Sequence, residues 1–248
     1  MKMKILLAPS ETKKHGGVNS FDPSSLLFKE LMPSRMKLLH AYTNVLQQGD
    51  IEKLSKMFGL KKEADILLHK QDIIHSLTMK AVERYTGVAF KYLGYEELND
   101  SSKNYVDNSV IIFSNLFGVI RADDLIPEYK LKQGELVDDI RVEKFYREDL
   151  EELMHEYLKD EQILDLRAGF YNKFYKPNKE YTTLKFIKDG KVVSHWAKAY
   201  RGIVLRELAK NEVKSLEEFM KLEIENLQIK EIIQKGIHTE IVYDIFNS

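Results

Sequence analysis

The chain contains no cysteine. That absence removes disulfides, iron–sulfur clusters, cysteine zinc sites, thiol nucleophiles and thiol redox switches together. It also has no run of 18 apolar residues, and the stretch Ile5 to Ala8 is too short for a signal peptide or a membrane span. A cytoplasmic protein with no membrane contact is expected. Neither sign of charge dominates: 38 Lys+Arg face 39 Asp+Glu, for a formal net charge of −1. A uniformly basic nucleic-acid coat is thereby excluded, and a local basic patch is not. No Walker A loop, nucleophile elbow or GxGxxG fingerprint occurs, and the seven histidines show no HxxH or HExxH spacing. No metal and no cofactor are therefore expected. There is no internal repeat and no Ser/Pro/Gly-rich linker.

What is present is an ordinary globular composition, 44% hydrophobic and 31% charged, in 248 residues. Lys4–Ala8 reads as a first buried strand, because its apolar residues are contiguous and Pro9 follows. Pro33-Ser34 opens a helix to about Gln48, whose stripe is Leu38, Leu39, Tyr42, Val45 and Leu46, with Gly49 as its stop. Asp50 caps a short helix ending at Gly59, and another begins near Lys61; helix–Gly turn–helix fits a helix-hairpin-helix or any helical hairpin. More helix is expected over Ile73–Arg84, around Val88–Leu93 and over 142–159. Val110–Phe113 and Ile163–Leu166 read as strands, and residues 181–195 as a hairpin about Asp189-Gly190. A helix is expected from about Trp196 to Asn211, mostly helix over Glu217–Gly236, and a closing strand over Ile241–Phe246. Strands and helices interleave throughout, so the expected architecture is one mixed α/β (α+β) domain over residues 1–248. It has a central mixed sheet, surrounding helices and a helical lobe at about 34–93 after the first strand.

Charge is segregated along the chain. Residues 148–165 hold eight acids and one base, whereas residues 167–210 hold eleven bases and three acids. The basic block can present an electropositive face to phosphate, or pack against the acidic helix and be neutralised by it.

Three constellations can carry chemistry. The loop Pro9–Gly17 offers the hydroxyls of Ser10 and Thr12, the Glu11 carboxylate, the Lys13 and Lys14 cations and free Gly16-Gly17 amides, which together can cradle an anion or form a polar surface turn. On a helix, His195, Lys198, Arg201 and Gly202 share one face while Trp196, Tyr200 and Ile203 lie opposite. This is an anion-binding face or a solvated one. Gly202 would let a ligand or another backbone approach. Between Ser114 and Leu131, Arg121 with Asp124 is either a structural ion pair or a binding group. Tyr85-Thr86-Gly87 is a weaker element, and Asp165 is a general base or a loop hydrogen-bonding group.

These segments, in this order, resemble the YaaA family of peroxide-stress proteins. The resemblance rests on Pro9-Ser10-Glu11-Thr12-Lys13, on Tyr85-Thr86-Gly87, and on Leu116-Phe117-Gly118-Val119-Ile120-Arg121 continuing to Asp124-Leu125 and Tyr129-Lys130-Leu131. The basic helix Lys198-Ala199-Tyr200-Arg201-Gly202 completes it. The resemblance spans nearly the whole chain. It implies a cytoplasmic protein that limits peroxide damage by lowering free intracellular iron and that binds DNA, without sequence preference, through a positively charged cleft and a helix-hairpin-helix-like element. Ser55, Lys56, Gly59, Lys61 and Lys62 are the residues here that would meet phosphates in that element. The cleft residues would be Ser10, Thr12, Lys13, Arg121, Lys130, Lys176, Lys198, Arg201 and Gly202.

A thiol-free chain cannot be a thiol peroxidase, so any protection is indirect. The rival to a nucleic-acid-binding protein is an enzyme acting on a phosphate-bearing or nucleotide-like small molecule in the same cleft. There Lys13, Lys198 and Arg201 would hold the anion, and Glu11, Tyr85, Asp165 or His195 would move protons. A third alternative is an iron buffer, for which residues 148–156 with His155 are the dense group.

Overall fold

The computed structural model describes residues 2–246, apart from the side chains of Ser194 and His195. In chain order the elements are β1 (Met3–Leu7), β2 (Asn19–Ser20), α1 (Met32–Gln48), α2 (Ile51–Phe58), α3 (Glu63–Leu68), β3 (Leu77–Lys80), α4 (Ala81–Arg84), α5 (Val88–Leu93) and α6 (Asp100–Ser109). They continue with β4 (Val110–Ser114), β5 (Gly118–Arg121), β6 (Leu125–Pro127), β7 (Leu136–Val137), β8 (Ile140–Arg141), α7 (Val142–Leu158) and β9 (Gln162–Asp165). The last are β10 (Tyr181–Lys188), β11 (Lys191–Val192), α8 (Ser194–Lys210), α9 (Leu216–Lys221), β12 (Leu227–Lys235) and β13 (His238–Ile245). The molecule is a mixed α/β domain, as expected.

The central sheet runs β12-β13-β10-β9-β1-β4-β5, with β11 added to the end of β10. Its five inner strands, β13, β10, β9, β1 and β4, are parallel, and the outer β12 and β5 are antiparallel. Such strands are buried on both faces, which is why Ile5–Leu7 of β1 and Val110–Phe113 of β4 read as contiguous apolar runs. Numbered by chain order, the parallel strands lie 2-1-3-4-5. This doubly wound order reverses direction between the first and third, here β1 and β9, and ligands bind beyond the strand C-termini at that point.

The capped helices form where their signals stand. In α1 the expected stripe is buried, and Gly49 closes the helix at φ +68°. In α2 the Asp50 carboxylate accepts from the Glu52 and Lys53 amides, and Gly59 ends the helix at φ +67°. Helix α8 lies on β10 and packs against α5 and α6, whereas α7 packs on β5.

Two expected helices are replaced. Over 73–84, Asp72 accepts from the Ile74 and His75 amides to make a turn, Leu77–Lys80 becomes a strand between β2 and β6, and only Ala81–Arg84 is helical. The cause is tertiary. Arg84 is fully buried and donates to the carbonyls of Lys14, Leu77 and Ile126, which ties the strand in place. Over 217–236, α9 stops at Lys221 and Leu227–Lys235 is a strand paired with β13. Its Glu, Lys and Gln content favours a helix locally, but Gly236 at φ +59° turns the chain into a hairpin and the ladder with β13 decides the outcome. A second buried arginine, Arg35 of α1, donates to the carbonyls of Leu27, Phe28, Phe117 and Val119 and fastens α1 to β5.

Candidate anion-binding site at the sheet switch point

The chain leaves β1 at Leu7 into Ala8-Pro9-Ser10, and leaves β9 at Asp165 into Leu166-Arg167-Ala168. Between these exits lies a cavity of about 390 Å³, within the range of roughly 300–1,000 Å³ usual for small-molecule sites. Leu7, Ala8, Val88, Phe90, Leu166 and Ala168 give it apolar walls. Ser10, Glu11 and Thr12 line it from the first loop, Lys198 and Arg201 from α8, and Gln133 and Tyr171 from two further loops.

The first loop is held by its own side chains. The Ser10 hydroxyl accepts from the Thr12 amide at 3.1 Å and lies 3.0 Å from the Thr12 hydroxyl. The Tyr85-Thr86-Gly87 segment then clasps the loop: the Thr86 amide donates to the Thr12 carbonyl, and a Cβ at residue 87 would overlap the Ser10 hydroxyl. The absent side chain of Gly87 is a packing requirement. Glu11 is exposed at the cavity mouth, where its carboxylate accepts from the Gln133 amide.

Lys13 is turned to the other side of this loop, off the cavity lining. Its ammonium donates to the Ser10 carbonyl at 3.0 Å and sits 3.9 Å from the Tyr129 ring centre and 5.3 Å from that of Tyr85. Burial, and then the neighbouring Lys130, pull its pKa down to about 7, against the opposing fields of Glu11 and Glu128. Tyr85 and Tyr129 share a hydrogen bond, and Tyr129 also meets Ser114, whose hydroxyl accepts from the Leu116 and Phe117 amides. Burial raises Tyr129 to about 12 and Tyr85 well above its ordinary value, so both hydroxyls hold their protons near neutrality.

On α8, Lys198 is exposed and Arg201 half-buried, three residues apart and both on the cavity. Burial lowers the Arg201 pKa, partly offset by the field of Asp165. Gly202, beside them, does not face a ligand: a Cβ there would overlap the Ala89 carbonyl, so glycine lets α8 pack against α5. The side chain of His195 lies outside the described residues.

Asp165 is not a free base. Its carboxylate takes the Arg167 backbone amide at 3.0 Å, Nε at 2.9 Å and Nη2 at 2.7 Å. The buried Arg167 guanidinium also lies 4.2 Å from the Phe113 ring centre and donates to the Tyr171 and Tyr175 carbonyls. This pair anchors the turn Gly169–Lys173, which carries Tyr171 to the cavity, where its hydroxyl donates to Asn115.

Arg121 lies elsewhere. It pairs across the sheet with Ile111 near the N-terminal end of β4, whereas the cavity is beyond C-terminal ends. Its guanidinium is held by Asp124 at 2.8 Å and 3.0 Å, which is the structural ion pair of the two readings. Lys130 has its backbone clasped by the Tyr42 hydroxyl, and its side chain lines a crevice with His69 and Glu128. Lys176 is exposed and off the cavity.

The helical hairpin adjoins the site. The Ser55 hydroxyl donates to the Leu60 carbonyl and Lys56 pairs with Glu52, while Lys61 and Lys62 stand exposed. A Cβ on Gly59 would overlap the Lys132 side chain, and the next residue, Gln133, donates to Glu11. Hairpin and cavity mouth are thus joined through Lys132-Gln133.

The basic block is partly neutralised. Lys179 caps the C-terminal carbonyls of α7, Lys185 meets Glu240, Arg206 meets Glu97, and Lys210 meets Glu207. Among the described residues, 148–156 included, no group of three or more His, Asp or Glu is placed to hold a metal ion. Among them, too, no helix is long and apolar enough to cross a membrane. Gln133 and Tyr171 were not signalled by the sequence, because each reaches the site from a loop whose position only the fold sets.

The strand order and the cavity beyond the C-terminal ends of β1 and β9 are those of a doubly wound α/β fold. The chain belongs to the family described as peroxide stress protein YaaA, whose model matches residues 3–232. It is 46% identical over 246 residues to the uncharacterized protein Cj0984 of Campylobacter jejuni, covering 99% of this chain and 100% of that one. It is 30% identical to the UPF0246 protein FN1762 of Fusobacterium nucleatum, covering 92% and 93% of the two chains. To the UPF0246 protein SCO2297 of Streptomyces coelicolor it is also 30% identical, covering 83% and 82%.

Proposed function

We propose that this member of a peroxide-stress family works in the cytoplasm by binding a small phosphate-bearing, nucleotide-like molecule in the switch-point cavity. The observation that carries the reading is that two segments nearly 190 residues apart, Ser10-Glu11-Thr12 and Lys198–Arg201, line one recess. Apolar walls would take a flat base or sugar, and the two cations and two hydroxyls of the lining would take its phosphate. Glu11, exposed at the mouth, is the acid–base group available to such a molecule.

A nucleic-acid reading is favoured by a separate observation, the junction of the hairpin with the cavity mouth through Lys132-Gln133. A strand lying along Lys61 and Lys62 would deliver one of its phosphates to Lys198 and Arg201. Recognition would be of backbone and not of sequence. Lowering of free iron would follow downstream of either event, since the proposal gives the protein no iron ligand set.

The test is fluorescence anisotropy with a labelled mononucleotide and a labelled short duplex, from low to high salt. The small-molecule reading expects saturable mononucleotide binding that unlabelled mononucleotide displaces. The nucleic-acid reading expects duplex binding that weakens steeply with salt. No binding of either probe would remove both.

A further inference from the structure

The two edges of the central sheet are finished differently. At one, β5 is buried along residues 118–120 and has α7 packed against it. At the other, β12 runs for nine residues, mostly exposed, with no strand on its outer side. An open edge of that length is a template for a further strand unless something blunts it. A bulge at Lys230 does so locally, and it leaves residues 231–235 in regular register with β13. Within that stretch Ile232 is exposed, and so is Ile237 in the turn that follows Lys235. Before the bulge, Ile229 forms part of an open recess with Met220, Leu222 and Ile224. Glu231 and Lys235 are both exposed, and neither has an ion-pair partner among the described residues.

We propose that β12 pairs antiparallel with the β12 of a second copy of this chain, about a two-fold axis at Ile233. Facing residues of an antiparallel pair share one face of the sheet, so a two-fold axis through such a ribbon sets one residue against its own copy. An axis at Glu231 or at Lys235 would oppose like charges. Axes at Ile232 or Gln234 leave Glu231 and Lys235 facing neutral residues. At Ile233, Glu231 faces the partner's Lys235 on both sides of the axis, Ile233 meets its own copy, and Ile232 faces the partner's Gln234. The same register carries the partner's Ile237 alongside Ile229 and its apolar recess. The pairing is isologous and consumes both open edges, so it closes at a dimer and does not propagate into a fibre. Strands β13 and β10 separate β12 from β9 and the switch-point cavity, so this inference is independent of the anion-binding reading. Because the two β12 strands run in opposite directions, the two cavities open at opposite ends of one continuous sheet.

The experiment is analytical ultracentrifugation of the full chain, from about 1 to about 100 µM, because a self-associating protein must respond to its own concentration. The expected result is a species of twice the 29.0 kDa chain mass, whose share rises with concentration and which grows no further. Glu231→Lys and Lys235→Glu, each of which sets like charges against each other across the axis, should each weaken association at least tenfold. The double variant Glu231→Lys/Lys235→Glu restores opposite charges in this register and should recover the parent's association. All three change exposed side chains, so their thermal melts should match the parent's. Ile237→Asp should weaken the dimer by placing a charge at the apolar recess. A parent that stays monomeric at the highest concentration, or whose mass grows past the dimer, would overturn the proposal. So would a double variant no tighter than its single parents, or undiminished association in Glu231→Lys or Ile237→Asp.

Discussion

The two ends of the central sheet use the same side chains for different work. Near the N-terminal end of β4, Arg121 is gripped by Asp124, and Lys80 meets Asp107 at 2.6 Å with Tyr95 bridging them at 2.8 Å and 3.1 Å. Beyond the C-terminal ends of β1 and β9, Lys198, Arg201 and Lys13 have no such carboxylate partner among the described residues, although Asp165 lies near enough to be felt by Arg201. Asp165 is occupied by Arg167. A cation whose carboxylate is supplied by the fold serves the fold. A cation brought to a recess without one has electrostatic capacity left for a ligand.

The largest expected effect is on the paired side of that contrast. Asp165→Ala strands the buried Arg167 guanidinium, and urea unfolding should show a loss of about 3–5 kcal/mol. A loss under about 1 kcal/mol would return Asp165 to the status of a site carboxylate. Next is Gly202→Ala, whose Cβ must push α8 away from the Ala89 carbonyl. A cost of about 1–3 kcal/mol is expected. Unchanged stability would mean that α5 and α8 yield freely, and that the cavity between them is not fixed.

On the unpaired side, Arg201→Met should leave stability unchanged or slightly higher, since it removes a half-buried charge that has no ion-pair partner among the described residues. Anion affinity should fall about tenfold, equivalent to ~1.4 kcal/mol. Lys198→Ala should shift stability by no more than about 0.5 kcal/mol, as for an exposed residue, and weaken the same binding. The smallest effect is a pH slope. Lys13 has a folded pKa of about 7, below its unfolded value, so the unfolded chain binds more protons between them. Stability contributed by this group therefore rises as pH climbs from 7 towards 9.5. Lys13→Met should flatten that rise in melts at fixed ionic strength, and a slope identical to the parent would show that the amine stays protonated.

Much of this was legible in the sequence for reasons that differ by residue. The runs at β1 and β4, the caps Asp50 and Gly49, and the Asp189-Gly190 turn are local signals with local causes. The Ser10 and Lys198–Arg201 segments were also visible as polar groups following a strand and on a helix face, and the fold brings them to one cavity. Lys13 and Gly202 were harder, because rotamer and helix contact set their direction: one turns to Tyr129 and the other to Ala89. Arg35 and Arg84 were invisible, since their partners are backbone carbonyls from distant segments, which leave no mark on residue type. The same long-range bonding overrode helix propensity at Leu77–Lys80, and cross-strand pairing did so at Leu227–Lys235.

The most direct test is a calorimetric titration of one nucleoside 5′-monophosphate into three proteins: the parent, Arg201→Met, and Arg121→Met as the paired-end control. Binding that is at least tenfold weaker in Arg201→Met and unaltered in Arg121→Met is the expected result. Equal affinity in all three, or loss in Arg121→Met alone, would contradict an anion site at the switch point.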